Sequence, residues 1–430
     1  MAPQREIMIR PLGRPVDRTV RLPGSKSLTN RALLVAAMAR GRSELDGVLQ
    51  AEDTELMADA LAGLGVPVLI QRSAQRAAVE GRGGHWPNTE ANIECGNAGT
   101  VIRFVTAACA AGQGDYVLDG SVRMRQRPIG ALVDALRDLG AQIGYGEREG
   151  YCPLQVRARG LRGGTVVFDR PVSSQYVSAL LMAAPLAAND VMISVEGALP
   201  SDPYVRMTLG VMEAFGVSVV EDQMRRFVVP APQVYSATHY AIEPDASAAS
   251  YFFAAAALTG GRVTIEGLGS GSVQGDIGFV NLLERMGCRV AMESQQTTVW
   301  GTREGSLAGI DADLGAMPDV APTLAVVAAF AAGPTRIRNV ANLRIKESDR
   351  LAALATELGH LGVPTELHDD GITVAPVTRP VAGKIDTYGD HRIAMSFALA
   401  GLRIDGVVIR DPSCVNKTFP EFFGRLAELG

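Results

Sequence analysis

The chain carries 41 lysines and arginines together, and only four are lysines: Lys26, Lys346, Lys384 and Lys417. Either cation solvates well, so an arginine-biased surface is ordinary. A lysine that survives the bias is a candidate for a place needing a compact ammonium with a titratable proton, which a guanidinium cannot supply. Three of the four stand among other polar and charged residues. Lys26 lies in LPGSKSLTNR, Lys346 in NLRIKESDR and Lys417 in NKTFPEFF. Lys384, in AGKIDTYG, has no such company and reads as surface.

The same residue types recur at the starts of six Ala-rich, charge-poor stretches. These starts carry Ser25, Lys26 and Ser27; Asn97, Gly99 and Thr100; Ser173, Ser174 and Gln175; Asp245 and Ser247; Asp319; and Asp390, His391 and Arg392. Ser, Asn and Asp are ordinary helix N-caps, which is the plain explanation of any one of them. Capping does not account for Lys26, Gln175 or Arg392, because a cation at a helix N-terminus is unfavourable by about 0.3–1 kcal/mol. Cations at or one turn beyond such starts (Lys26, Arg31, Arg103, Arg392) point to anions held between them, since helix N-termini with Lys and Arg hold phosphate and carboxylate well. Loops add Arg123, Arg125 and Arg127 in SVRMRQRPIG, and Arg344 and Arg350 beside Lys346 and Glu347. A solvated charged face is the plain reading of each cluster; their company with the rare lysines favours the functional one.

Such a site suits one or two multiply anionic small molecules and proton transfer between them. Asp319 can serve as general base and Lys26 or Glu347 as general acid. Holding two anions together without metal contributes several kcal/mol by proximity alone. The chain has no Walker A loop, no G-x-G-x-x-G after a strand and no H-E-x-x-H, and its Ser-Lys pair is not the S-x-x-K nucleophile motif.

Composition excludes other classes. Hydrophobic residues make up 47% and charged residues 20% of 430, which is globular material. A net charge of −5 argues against a nucleic-acid backbone binder. No apolar run reaches the roughly 18–20 residues that span a bilayer, and MAPQREIMIRPLGRP has neither a signal-peptide core nor a transit pattern. Five scattered cysteines without C-x-x-C spacing fit a reducing compartment. A cytoplasmic protein with no membrane or nucleic-acid partner is expected.

The elements that must position these residues repeat. Amphipathic helices stop at Gly65, Gly140, Gly216, Gly287, Gly362 and Gly430, and an apolar strand follows each of the first five. The charge-poor stretches begin at Lys26, Asn97, Ser174, Asp245, Asp319 and Asp390. Helices apolar nearly all round must be buried. The chain therefore reads as six α/β units of about 70 residues, each with one exposed and one buried helix. Three units per domain is the natural division. Residues 25–244 form one domain; residues 1–24 join 245–430 in the other.

LPGSKSLTNRALLVAA, GNAGTVIR, RMRQRPIG, SSQYVSALLMAAPL, SDPY, DASAASYF, QGDI, PDVAPTLA, NLRIKESDR, DHRIAMSFAL and NKTFPEFF together resemble the 5-enolpyruvylshikimate-3-phosphate synthase family, in order and over essentially the whole chain. The resemblance implies an α/β (α+β) fold of two similar domains, each of three βαββαβ repeats, with the active site in the cleft between them. It implies transfer of the enolpyruvyl group of phosphoenolpyruvate to the 5-hydroxyl of shikimate 3-phosphate through a tetrahedral intermediate, with no metal or organic cofactor, in a monomer. By motif, Lys26, Ser27, Arg31, Ser173, Ser174, Gln175, Ser201, Tyr204, Asp319, Asn342 and Lys346 would bind shikimate 3-phosphate. Lys26, Asn97, Gly99, Thr100, Arg127, Gln175, Arg350, Arg392 and Lys417 would bind phosphoenolpyruvate. Asp319 would take the hydroxyl proton, and Glu347 with Lys26 would serve protonation at C3. Glyphosate would occupy the phosphoenolpyruvate region, which a side chain at Gly99 would narrow. The chain departs from the family pattern at Phe104, where many members have Pro, and at Asp202, where a basic residue is common. The related transferase acting on a UDP-N-acetylglucosamine acceptor typically carries Lys-Asn where this chain has Lys26-Ser27, and a reactive Cys in a mobile loop; residues 121–127 contain none. A non-catalytic repeat scaffold, with helix starts that only cap, is the other alternative.

Overall fold

Twelve helices alternate between two kinds in the computed structural model, which describes residues 5–302 and 307–430. They are α1 (Lys26–Met38), α2 (Glu52–Gly63), α3 (Gly99–Ala111), α4 (Gly130–Asp138), α5 (Ser174–Ala183), α6 (Pro203–Ala214), α7 (Ala246–Thr259), α8 (Phe279–Arg285), α9 (Ala321–Ala328), α10 (Arg350–His360), α11 (His391–Ala400) and α12 (Phe422–Ala427). The odd-numbered helices are the charge-poor ones. Every residue of α3 and of α11 is buried, and in α7 only Thr259 is not. The even-numbered helices bury one stripe; α4, for example, buries Leu132, Val133, Ala135 and Leu136.

The glycine stops share one hydrogen-bond pattern. After α2, Gly65 N donates to Ala62 O (2.9 Å) and Val66 N to Leu61 O (2.8 Å). The same pair of bonds closes α4, α6, α8 and α10 at Gly140, Gly216, Gly287 and Gly362. In each of the five the glycine takes a left-handed φ, between 74° and 102°, which a residue with a Cβ rarely adopts.

The chain divides into two compact units, Gly24–Glu243 and Met1–Pro23 with Pro244–Gly430. Each has its own hydrophobic core, built around α1, α3 and α5 in the first and α7, α9 and α11 in the second. Among the described residues there are five four-stranded sheets and one three-stranded sheet. In a representative sheet, Glu90–Glu94 pairs in parallel with Gln113–Asp119 across the crossover helix α3. Leu154–Arg159 then pairs antiparallel with both Gln113–Asp119 and Gln142–Tyr145. The chain order within the unit is therefore βαβαββ, which corrects the expected βαββαβ. The parallel pair needs the buried helix as its crossover, whereas the two strands after the exposed helix close as a local hairpin.

The first sheet of the Gly24–Glu243 unit takes its outer parallel strand from the far end of that unit: His239–Ala241 pairs with Glu44–Asp46. In the other unit, Asp17–Val20 pairs in parallel with Arg262–Ile265. Borrowed strands of this kind explain why one unit is continuous and the other is built from both ends of the chain.

Candidate active site

The starts of the buried helices differ in what their polar residues do. Ser25, Ser173, Asp245 and Asp390 cap in the ordinary way, accepting from the backbone N–H of Leu28, Gln175, Ala248 and Arg392. Asn97 and Asp319 do not cap. These two sit instead among cations.

In the Gly24–Glu243 unit, the backbone and side-chain oxygens of Asn97 accept from Arg127 NH1 at 3.0 and 3.2 Å. Arg103 NH1 donates to Gly99 O (3.2 Å) and to Gln175 Oε1 (2.9 Å). Gly99 is where these groups meet. A Cβ there would lie 2.5 Å from Arg103 NH1, 2.8 Å from Arg127 NH2 and 3.1 Å from Gln175 Oε1. Phe104 leaves α3 unbroken from Gly99 and is buried, with the Arg31 guanidinium 5.1 Å from its ring centre.

Lys26 Nζ lies 3.4 Å from Asp53 Oδ2, a carboxylate buried in the first turn of α2. Thr100 Oγ1 accepts from Asn30 Nδ2 at 2.7 Å. Arg31 is wholly buried and engaged in its own unit, donating to Thr208 Oγ1 (2.7 Å), Ser27 O (2.9 Å), Tyr204 O (3.0 Å) and Ser178 Oγ (3.4 Å). Burial pulls its pKa down to about 10. Ser174 and Ser201 are buried, and Ser201 has φ 57° just before α6.

The other unit centres on Asp319, in the turn before α9. Its oxygens meet Arg392 NH2 at 2.7 Å, Arg350 NH1 at 3.1 Å and Lys346 Nζ at 3.5 Å. Arg350, buried at the start of α10, also donates to Asp390 Oδ2 (2.7 Å) and Glu347 Oε2 (2.8 Å). Burial opposes its charge, but the carboxylates of Asp390, Glu347 and Asp319 outweigh burial and hold the guanidinium above its ordinary pKa. Ser348 Oγ donates to Asp390 Oδ2 at 3.0 Å. Lys417 is buried in the turn Pro412–Lys417, and Asn342 lies in the turn Ala341–Ile345. His391 is buried, and desolvation drives its pKa well below the usual histidine value. Lys384, by contrast, forms an exposed pair with Glu6 at 3.0 Å.

Two carboxylates escaped the sequence reading. Asp53 sits in AEDTE, where acidic residues at a helix start look like routine dipole compensation. Asp276, in QGDI, is buried and accepts from Ser247 Oγ at the start of α7. Burial pushes its pKa up to about 6, with Asp319 adding to the shift and Arg392 opposing it. Among the described residues no cluster of His, Cys, Asp and Glu could hold a metal ion, and no helix is long and apolar enough to cross a membrane. The arrangement can hold anions in each unit and offers carboxylates beside them for proton transfer.

The family described as EPSP synthase (3-phosphoshikimate 1-carboxyvinyltransferase) matches residues 12–426. The 3-phosphoshikimate 1-carboxyvinyltransferase of Vibrio cholerae serotype O1 (strain M66-2) is 47% identical over 421 residues, covering 96% of this chain and 97% of that one. The protein of the same name from Nostoc punctiforme is 46% identical over 424 residues, covering 98% and 99%. Among solved structures, an EPSP synthase from Acinetobacter baumannii superposes with a TM-score of 0.83 at 27% identity, covering 99% of this chain and 98% of that one. The enolpyruvyl transferase NikO from Streptomyces tendae has the same fold, with a TM-score of 0.78 at 18% identity, covering 100% and 98%.

Proposed function

The chain belongs to the EPSP synthase family, and from that membership we propose that it is a 3-phosphoshikimate 1-carboxyvinyltransferase of aromatic amino acid biosynthesis. It moves the enolpyruvyl group of phosphoenolpyruvate to the 5-hydroxyl of shikimate 3-phosphate and releases phosphate. The observation that carries the reading is the Asp319 carboxylate held by Lys346, Arg350 and Arg392 at a helix start where it does not cap. A scaffold would have no use for three cations gathered around one base.

In this reading Arg350, Arg392 and Lys417 take the carboxylate and phosphate of phosphoenolpyruvate, together with Lys26, Asn97, Gly99, Thr100, Arg127 and Gln175. Shikimate 3-phosphate is held by Lys26, Ser27, Ser173, Ser174, Gln175, Ser201, Tyr204, Asn342 and Lys346. Arg31 supports them from behind, since its donors are engaged with Thr208, Ser27, Tyr204 and Ser178. A substrate anion competes with Asp319 for its cations and frees that carboxylate to accept the 5-hydroxyl proton. The hydroxyl oxygen bonds to C2 of the enol while C3 gains a proton from Glu347 or Lys26. Loss of a proton from C3 and departure of phosphate from C2 then restore the double bond. The active form is a single chain with no resident cofactor, and glyphosate competes at the phosphoenolpyruvate position.

The test is phosphate release from phosphoenolpyruvate with shikimate 3-phosphate or UDP-N-acetylglucosamine offered separately, with and without glyphosate. Turnover with shikimate 3-phosphate alone is expected. Turnover with the sugar nucleotide alone would replace this reading by the related transferase.

A further inference from the structure

The turn that delivers Asp390 and Arg392 adopts a backbone its own sequence resists. Tyr388 and Gly389 are both left-handed, with φ of 55° and 64°. Glycine takes this conformation freely; a tyrosine persists in it only where the surroundings over-determine it. Glu357, on α10, supplies that determination. Its carboxylate is fully buried. It accepts from the Tyr388 hydroxyl at 2.6 Å and from Asp386 N at 3.2 Å, and His360 Nδ1 lies 3.0 Å away. Among the described residues no lysine or arginine pairs with it, although a buried carboxylate is costly without such a partner. Asp390 N donates to Thr387 O at 2.8 Å and closes the turn. The Asp390 carboxylate then receives Arg350 Nε at 2.7 Å and the backbone N–H of Arg392 at 3.0 Å.

From this chain of contacts we propose that Glu357 and Tyr388 form a latch whose task is to position Arg350 and Arg392 for the carboxylate and phosphate of phosphoenolpyruvate. The inference rests on the reading above that these two arginines take that substrate. Both latch members are positioning residues, acting through Asp390. The latch is selective by construction. Asn342 and Lys346 precede α10 and lie outside the turn 386–390 that Glu357 grips.

Tyr388→Phe removes one hydroxyl and keeps the ring. Loss of a hydrogen bond to a charged acceptor has a ceiling of about 10- to 100-fold, of which part is transmitted through Asp390. The KM for phosphoenolpyruvate is expected to rise roughly 5- to 20-fold on that basis, with the KM for shikimate 3-phosphate held within about twofold. Glu357→Gln, tested on its own, keeps one acceptor oxygen for Tyr388 but turns an amide N–H toward Asp386 N, so its phosphoenolpyruvate KM should rise less than that of Tyr388→Phe. Hydrogen–deuterium exchange supplies a readout that needs no turnover: residues 386–392 should exchange faster in Tyr388→Phe, with α7 and α9 unchanged. Unchanged exchange at 386–392 overturns the latch, as does an equal rise in both KM values accompanied by global loss of protection. If the parent chain shows no turnover, the functional reading has failed, and the exchange comparison still decides whether the latch exists.

Discussion

Gly99→Ala separates affinity from stability at one atom. The added Cβ would sit 2.5 Å from Arg103 NH1 and 2.8 Å from Arg127 NH2. Contacts closer than about 3.4 Å are repulsive for such atoms, so each guanidinium must retreat by up to about 1 Å. Both are ends of flexible side chains, so the backbone stays. What is lost is aim: Arg103 gives up its approach to Gly99 O or Gln175 Oε1, now 3.2 and 2.9 Å, and Arg127 swings from the Asn97 oxygens. One misplaced charge-assisted hydrogen bond is worth about 1.5–3 kcal/mol, or about 10- to 100-fold in binding. Helix propensity opposes any loss of stability, because Ala is favoured over Gly in a helix by up to about 1 kcal/mol. Steady-state kinetics should therefore show the KM for phosphoenolpyruvate and the inhibition constant of glyphosate both rising about 10-fold or more. The melting temperature should stay within a few degrees of the parent. A variant with parental phosphoenolpyruvate KM would refute the placement of that substrate against Gly99.

Three further perturbations follow from the same geometry. Lys26→Met should abolish turnover and also destabilise the fold, by up to about 3–5 kcal/mol, because the ammonium beside the buried Asp53 is gone; calorimetry of Lys26→Met with Asp53→Asn should show melting recovered without activity, and a fully active single variant would contradict the assignment. Asp319→Asn should lower kcat by about 100-fold or more while inorganic phosphate inhibits more tightly, since Lys346, Arg350 and Arg392 lose a built-in counter-charge; weaker phosphate inhibition would count against the anion role of these cations. Asp276 has a folded pKa of about 6 against 3.8 for a free carboxyl, so it favours the fold when protonated and this contribution is lost as pH rises from about 4 through 6. Asp276→Asn should accordingly gain up to about 3 kcal/mol over the parent above pH 6 and nothing below pH 4; a melting difference that does not vary between pH 4 and 7 would be inconsistent with that shift.

The repeat was legible because two periodic signals agree. Glycines at 65, 140, 216, 287 and 362 each close an exposed helix with the same pair of bonds, and the Ala-rich stretches became the buried helices. Strand order within the repeat was not legible. Short strands such as Glu90–Glu94 and Gln142–Tyr145 carry no mark of which neighbour they will pair with, and pairing is settled by the crossover and the hairpin together. At the site, cations announced themselves by rarity and clustering. Asp319, Glu347 and Asp390 stood out beside them, but Asp53 and Asp276 did not, because they look like common helix-start acids until burial and partners are known. Glu357 lay hidden because a single carboxylate on an amphipathic helix reads as a solvent-facing residue until its burial is known.

Asp319, bridging three cations, sets a threshold for admission. Being covalently part of the chain, it is present at an effective concentration on the order of millimolar or higher. A chloride or acetate ion offers a single contact and loses to it. A molecule carrying both a phosphate and a carboxylate offers several at once, and can evict the tethered side chain only by satisfying Lys346, Arg350 and Arg392 together. On the proposed roles of these cations, the site would screen small anions by valence before shape is consulted. In the proposed mechanism, the group that does the screening is the one that, once displaced, would be free to take the proton.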